Sequence, residues 1–122
     1  MQQKVLIMED EEVLGKLYQK KLEKAGFETL WLDTINKTEE QLPQFMPDIV
    51  LLDHSISGEE QSGMDLIPFV RKLLPKSKIV MLSNYSDFHL KEKALEAGAD
   101  DYLVKIDNPP NIIAKYLLNK TL

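Results

Sequence analysis

Four short apolar runs punctuate the chain, and each ends in a polar residue. "VLIM" (5–8) runs into Glu9-Asp10, "IVLL" (49–52) into Asp53, "IVML" (79–82) into Ser83 and "YLV" (102–104) into Lys105. Runs rich in Val, Ile and Leu without polar alternation predict strands buried on both faces, as in a parallel sheet. Elsewhere the spacing turns helical: Leu14, Leu17, Tyr18, Leu22 and Ala25 share one face of a helix over 12–25, which Gly26 stops. "FETLWL" (27–32) mixes polar and apolar positions and reads as an exposed edge strand.

The remaining elements carry less regular signals. Thr38 with Gln41 three residues on resembles a capping box, while Pro43 and Pro47 predict a short, poorly regular second helix. After a strand over 48–53 and the polar loop "HSISGEEQS", a helix carrying Pro68 is expected at about 63–74, starting near Ser62 or Asp65. Ser86 or Asp87 caps a helix ending at Gly98, and a short strand follows over 101–105. Asn108-Pro109 reads as the N-cap and first residue of a last helix around 110–119. This alternation predicts an α/β fold with a parallel sheet, one domain over 1–122.

Composition then narrows the chemistry. A chain of 122 residues, 43% hydrophobic, can bury its own core without disulfides or structural metal. The absence of cysteine excludes disulfides, thiolate metal sites and cysteine nucleophiles. A net charge of −5 argues against a nucleic-acid-binding face. No apolar stretch approaches the roughly 18 residues of a membrane span, and no signal-peptide pattern opens the chain. A cytoplasmic protein without a membrane partner is the expectation.

In a parallel sheet the carboxyl ends of the strands share one edge, where open α/β folds bind ligands. That edge collects Glu9, Asp10, Asp53, Ser83 and Lys105. A carboxylate can attack phosphorus to give an acyl phosphate, and Asp53, ending the most central-looking strand, is the candidate. Glu9 and Asp10 alone oppose this, since like charges about 4 Å apart repel by about 4 kcal/mol at an effective dielectric of about 20. A divalent cation reverses the sign, and Mg²⁺ suits carboxylates shared with phosphate oxygens and water. Lys105 can neutralise one phosphoryl oxygen and Ser83 can donate to another.

Singly, each residue has a plainer reading: a capping Asp, acids at the positive end of a helix dipole, a loop serine, a solvated lysine. His54 is assigned to the loop, because adjacent strand residues point to opposite faces, and His89 to a solvent-facing helix. The ordered conjunction at strand ends is what selects the chemical reading.

The motifs "VLIMEDEE", "PDIVLLD", "KIVMLS" and "ALEAGADDYLVK", in this order across essentially the whole chain, resemble the receiver domain of two-component response regulators. The resemblance implies a flavodoxin-like (βα)5 doubly wound sheet with strand order 2-1-3-4-5. It implies that Asp53 accepts a phosphoryl group from the phosphohistidine of a sensor histidine kinase or histidine phosphotransfer protein. Asp10 and Asp53 would ligate Mg²⁺ directly, Glu9 through water and Ser55 through its backbone carbonyl. Ser83 and Lys105 match the positions that bind phosphoryl oxygens, and Tyr102 with Ser83 matches an aromatic switch biased by the new charge. Such a domain phosphorylates and dephosphorylates itself rather than turning over a substrate. It signals to a downstream protein through a surface that includes Tyr102, Lys91 and the last helix, as a monomer or a phosphorylation-promoted dimer.

Several positions depart from the family pattern. Ser57 stands where proline is usual, and the family's later glycine is matched by Gly63, implying two extra residues in the loop. Glu59 and Glu60 add negative charge there, and Asn84 replaces a small residue beside Ser83. Tyr85 and Ser55 hold positions that tune acyl-phosphate lifetime. Ile106 follows Lys105 in place of a proline that is commonly cis; a cis non-proline bond costs about 2.5–4 kcal/mol, so a trans bond and a rearranged loop are expected. The alternative function is a receiver-like interaction module working without phosphorylation. Haloacid-dehalogenase-like phosphatases need a second Asp where Ser55 stands, and nucleotide-binding folds need a glycine-rich turn where Glu9–Glu12 stand.

Overall fold

The computed structural model describes residues 2–54 and 63–121. Five parallel strands, β1 (Lys4–Met8), β2 (Glu28–Leu32), β3 (Ile49–Asp53), β4 (Lys78–Ser83) and β5 (Asp101–Val104), form one sheet in the order β2-β1-β3-β4-β5. Helices α1 (Glu12–Lys24), α2 (Ile35–Phe45), α3 (Gly63–Leu73), α4 (Phe88–Ala97) and α5 (Pro110–Thr121) connect and cover it. This is the flavodoxin-like arrangement expected from the sequence. Among the described residues no helix is long and apolar enough to cross a membrane.

The period-2 geometry of the strands divides the core in two. Leu6, Met8, Val50, Leu52, Ile79 and Met81 point to one face, against Ile35 and Leu42 of α2, Leu66, Ile67 and Val70 of α3, and Ala94 of α4. Val5, Ile7, Ile49, Leu51, Val80 and Leu82 point to the other, against Tyr18 and Leu22 of α1 and Ile113 and Leu117 of α5. All five residues of β3 are buried, whereas β2 at the edge is exposed to half-buried. The strand order reverses beside β1 and β3, the place where open α/β sheets form a crevice.

Local chemistry departs from expectation at four places. Leu17 is 39% exposed, and Gly15 joins Tyr18 and Leu22 on the buried side of α1. The second helix is capped by Thr34, whose side chain accepts the Lys37 N–H at 3.1 Å. Thr38 lies inside that helix, fully buried, donating its hydroxyl to the Thr34 carbonyl at 2.8 Å, so it caps nothing. Pro43 sits on the exposed side of α2 and the helix continues past it to Phe45, ending at Met46 in the left-handed region (φ 51°).

Asn108 closes the turn after β5 instead of capping α5. Its side-chain amide donates to the Val104 carbonyl at 2.8 Å and its N–H to the Lys105 carbonyl at 3.1 Å. The Pro109 carbonyl takes the first helical N–H groups, from Ile112 and Ile113. Helix α5 thus begins at Pro110, as the expected span of about 110–119 has it, but without Asn108 as its cap or Pro109 as its first residue. Asp87 caps α4 as expected, accepting the His89 and Leu90 N–H groups. Ser62, an alternative start for α3, lies outside the described residues.

Candidate functional site

The carboxyl ends of β1, β3, β4 and β5 carry the expected residues to one edge. Glu9 follows β1 and is fixed there by its own N–H, which donates to the Leu32 carbonyl of β2 at 3.0 Å. Asp53 is the last residue of β3, and the next N–H, from His54, donates to the Leu82 carbonyl of β4 at 2.8 Å. Lys105 begins a single 3-10 turn after β5, Lys105–Asp107. Among the described residues no peptide bond is cis, so the chain leaves Lys105 through a trans bond to Ile106, as expected.

These strand ends converge on an ion cluster. Lys105 Nζ lies 3.0 Å from Asp53 Oδ1 and 3.0 Å from Glu9 Oε2. The three side chains are 13%, 5% and 2% exposed, so water does little to screen the charges. Glu9, Asp10 and Asp53 each offer a carboxylate oxygen, all within 4.8 Å of one another. Burial, reinforced by the Asp53 carboxylate, pushes Glu9 from its ordinary 4.5 up to about 8, against the lowering pull of Lys105. Burial also raises Asp53 above its ordinary 3.8, with Lys105 opposing. For Lys105 burial works downward, but Asp53 and Glu9 together outweigh it and hold the ammonium above 10.5. Among the described residues, one cation, Lys105, faces three crowded acids and leaves the edge short of positive charge.

Ser83 and Tyr102 sit on the adjoining side of this edge. Ser83 is fully buried at the end of β4, and its hydroxyl oxygen accepts the Tyr85 N–H at 3.0 Å. Tyr102 is 5% exposed, and its hydroxyl donates to the Tyr85 carbonyl at 2.7 Å. The two residues are therefore joined through one intervening residue, Tyr85. Beside Tyr102 a cleft of about 270 Å³ is lined by Ser86, Asp87, Phe88, Lys91 and Val104.

His54 is half-buried, with its ring edge-on to Tyr85 at 6.3 Å, and burial lowers its basicity below the ordinary 6.5. His89 is exposed on α4. Ser55, expected to offer its carbonyl to the cation, lies outside the described residues, as do Ser57, Glu59 and Glu60. Two participants carry no short-range sequence signal. Trp31 on β2 donates its indole N–H to the Glu9 carbonyl at 2.7 Å, and Gly15 of α1 makes room for that ring.

Both the sequence and the fold of the chain match known proteins. The family model described as "Response regulator receiver domain" matches residues 5–117. The phosphate regulon transcriptional regulatory protein PhoB of Rhizobium meliloti (strain 1021) is 33% identical over 117 residues, covering 92% of this chain and 49% of that protein. The chain thus spans about half the length of this relative. The chemotaxis protein CheY of Thermotoga maritima is 30% identical over 114 residues, covering 93% of each chain. A CheY-like receiver domain protein from Methanospirillum hungatei JF-1 superposes with a TM-score of 0.89 over 98% of this chain and 94% of that one; its 22% identity speaks for the fold alone. Between the matched sequence, the 2-1-3-4-5 sheet and the acid–lysine edge, the chain belongs to the response regulator receiver domain family of two-component systems.

Proposed function

We propose that this chain is a phosphoacceptor receiver, taking a phosphoryl group onto Asp53 from the phosphohistidine of a histidine kinase or phosphotransfer protein, with Mg²⁺ at Glu9, Asp10 and Asp53. The observation that carries the reading is the buried contact of Lys105 with Asp53 and Glu9 at the strand ends. The donor set suits the ion: three carboxylates close together supply the hard oxygens that Mg²⁺ takes.

The chain's own groups define the chemistry. An Asp53 carboxylate oxygen attacks phosphorus, the P–N bond to the donor imidazole breaks, and the imidazole leaves with the electron pair. Lys105, beside Asp53 Oδ1, neutralises charge on the transferred group, and the Ser83 hydroxyl at the next strand end donates to another oxygen. Held by Glu9, Asp10 and Asp53, Mg²⁺ would supply the remaining positive charge. Hydrolysis of the acyl phosphate returns Asp53 and inorganic phosphate.

The output follows from the Ser83–Tyr85–Tyr102 connection. A hydroxyl drawn towards a new phosphoryl group pulls on the loop that accepts from Tyr102. Tyr102 would then bias the adjoining surface, with Lys91 and the last helix, towards a downstream protein. We place the protein in the cytoplasm, with its histidine-kinase partner's catalytic face.

Incubation with acetyl phosphate and Mg²⁺ tests this by intact mass. A gain of one phosphoryl group is expected in the wild type and not in Asp53→Asn. A gain that persists in Asp53→Asn refutes the acceptor assignment. No gain with either acetyl phosphate or a kinase supports an interaction module that works without phosphorylation.

A further inference from the structure

Trp31 reaches from the edge strand to the acidic site by a contact that the chemistry above does not use. Its indole Nε1 donates to the Glu9 backbone carbonyl at 2.7 Å, while the Glu9 N–H donates to the Leu32 carbonyl at 3.0 Å. Two successive residues of β2 therefore hold both backbone polar groups of Glu9. The Glu9 carbonyl belongs to the planar peptide unit that joins Glu9 to Asp10. Its direction decides how the two acidic side chains leave the chain.

The ring needs a special seat. A β-carbon on Gly15 would stand 2.2 Å from Trp31 Nε1 and 2.6 Å from both Cδ1 and Cε2. No other residue type fits beneath the indole there, although alanine serves a helix interior better than glycine does. Gly15 and Trp31 are distant in sequence and make sense only as a pair.

We propose that Trp31 is a positioning residue for the cation-binding acids: it holds the Glu9–Asp10 peptide in line with Asp53, and Gly15 is the seat it requires. The inference rests on reading the acidic cluster as a Mg²⁺ site. Mg²⁺ demands near-octahedral geometry at about 2.0–2.1 Å, so small rotations of the Glu9–Asp10 peptide spoil its ligands. Partners that orient ligands from behind commonly govern metal affinity for this reason.

Calorimetric titration of the full chain with Mg²⁺ tests the role, at a temperature where circular dichroism shows each variant folded. Trp31→Phe, which keeps an aromatic ring but loses the donor, is expected to bind Mg²⁺ about tenfold more weakly. Its phosphorylation by acetyl phosphate should recover as Mg²⁺ is raised. Benzothienylalanine at position 31, with sulfur in place of the indole N–H, should behave like Trp31→Phe while preserving the ring's shape. Gly15→Ala should weaken Mg²⁺ binding in the wild-type background and add nothing to Trp31→Ala. A lowered melting temperature with unchanged Mg²⁺ affinity in both ring variants overturns the role, as does an additive loss in the double variant. If the folded wild type itself binds no Mg²⁺, the cation-site reading fails and the positioning role falls with it.

Discussion

Gly63 lies so close to Asp53 that a β-carbon on Gly63 would stand 1.9 Å from the Asp53 carbonyl oxygen and 2.9 Å from its carbonyl carbon. The Gly63 N–H also donates to the His54 carbonyl at 3.1 Å, so the start of α3 is docked directly on the end of β3. Because the atoms in the way are backbone, no rotamer change relieves the clash. Gly63→Ala is expected to cost about 3 kcal/mol, at the upper end of overpacking penalties, and to slow phosphorylation by displacing Asp53. Urea unfolding and acetyl phosphate labelling measure the two effects.

Lys105 makes a separable prediction, since it repels a cation but attracts a phosphoryl group. Lys105→Met removes the positive charge beside Asp53 and Glu9, so Mg²⁺ binding should tighten. Phosphorylation at saturating Mg²⁺ should nevertheless fall by about 10²-fold, the usual loss when one stabilising group of this kind is removed. Parallel changes in both quantities would contradict this division of roles.

The raised Glu9 gives a pH dependence with a definite sign. A carboxyl group whose folded value is about 8 against an ordinary 4.5 holds its proton more tightly in the native state. Its contribution to stability is fully present below about 4.5 and is lost as pH rises through about 8. Asp53, also raised by burial, acts in the same direction. Metal-free protein should therefore lose stability between pH 5 and 8, and Mg²⁺ should restore most at the alkaline end, where the acids have shed their protons. Urea midpoints across that range with Mg²⁺ or with chelator provide the check.

Arg71 should matter for stability alone. Its guanidinium donates to the carbonyls of Gly98, Pro75 and Ser77 and pairs with Asp100, whose Oδ2 also accepts the Ile79 N–H. One side chain thus ties α3 to the end of α4 and the starts of β4 and β5, at the opposite end of the strands from Asp53. Arg71→Ala should destabilise by about 2–3 kcal/mol, with partly buried carbonyls left unpaired. Mg²⁺ affinity and labelling of the folded fraction should stay unchanged.

Tyr102→Phe isolates the hydroxyl contact with Tyr85. It retains the buried ring and should cost only about 1 kcal/mol. Phosphorylation of Asp53 should persist while any phosphorylation-dependent partner binding weakens, which a pull-down with phosphorylated and unphosphorylated protein measures.

Much of this molecule was legible along the chain because its signals are local. Apolar runs such as Val5–Met8 and Ile49–Leu52 cannot be solvated, so they declared the buried strands, and strands that all run parallel must place Glu9, Asp53, Ser83 and Lys105 on one edge. Caps were less secure. Thr38 and Asn108 carry the right side chains for capping, but burial of the first and the Val104 carbonyl beside the second gave their polar groups other partners. Tertiary structure alone decided the meetings between residues far apart in sequence. No local pattern says that Gly15 empties a space for Trp31, that Trp31 holds the Glu9 carbonyl, or that Tyr102 finds the Tyr85 carbonyl. Those contacts depend on how helices seat against the sheet, a matter of side-chain volume and backbone approach, whereas the strand ends depend only on hydrophobicity and direction.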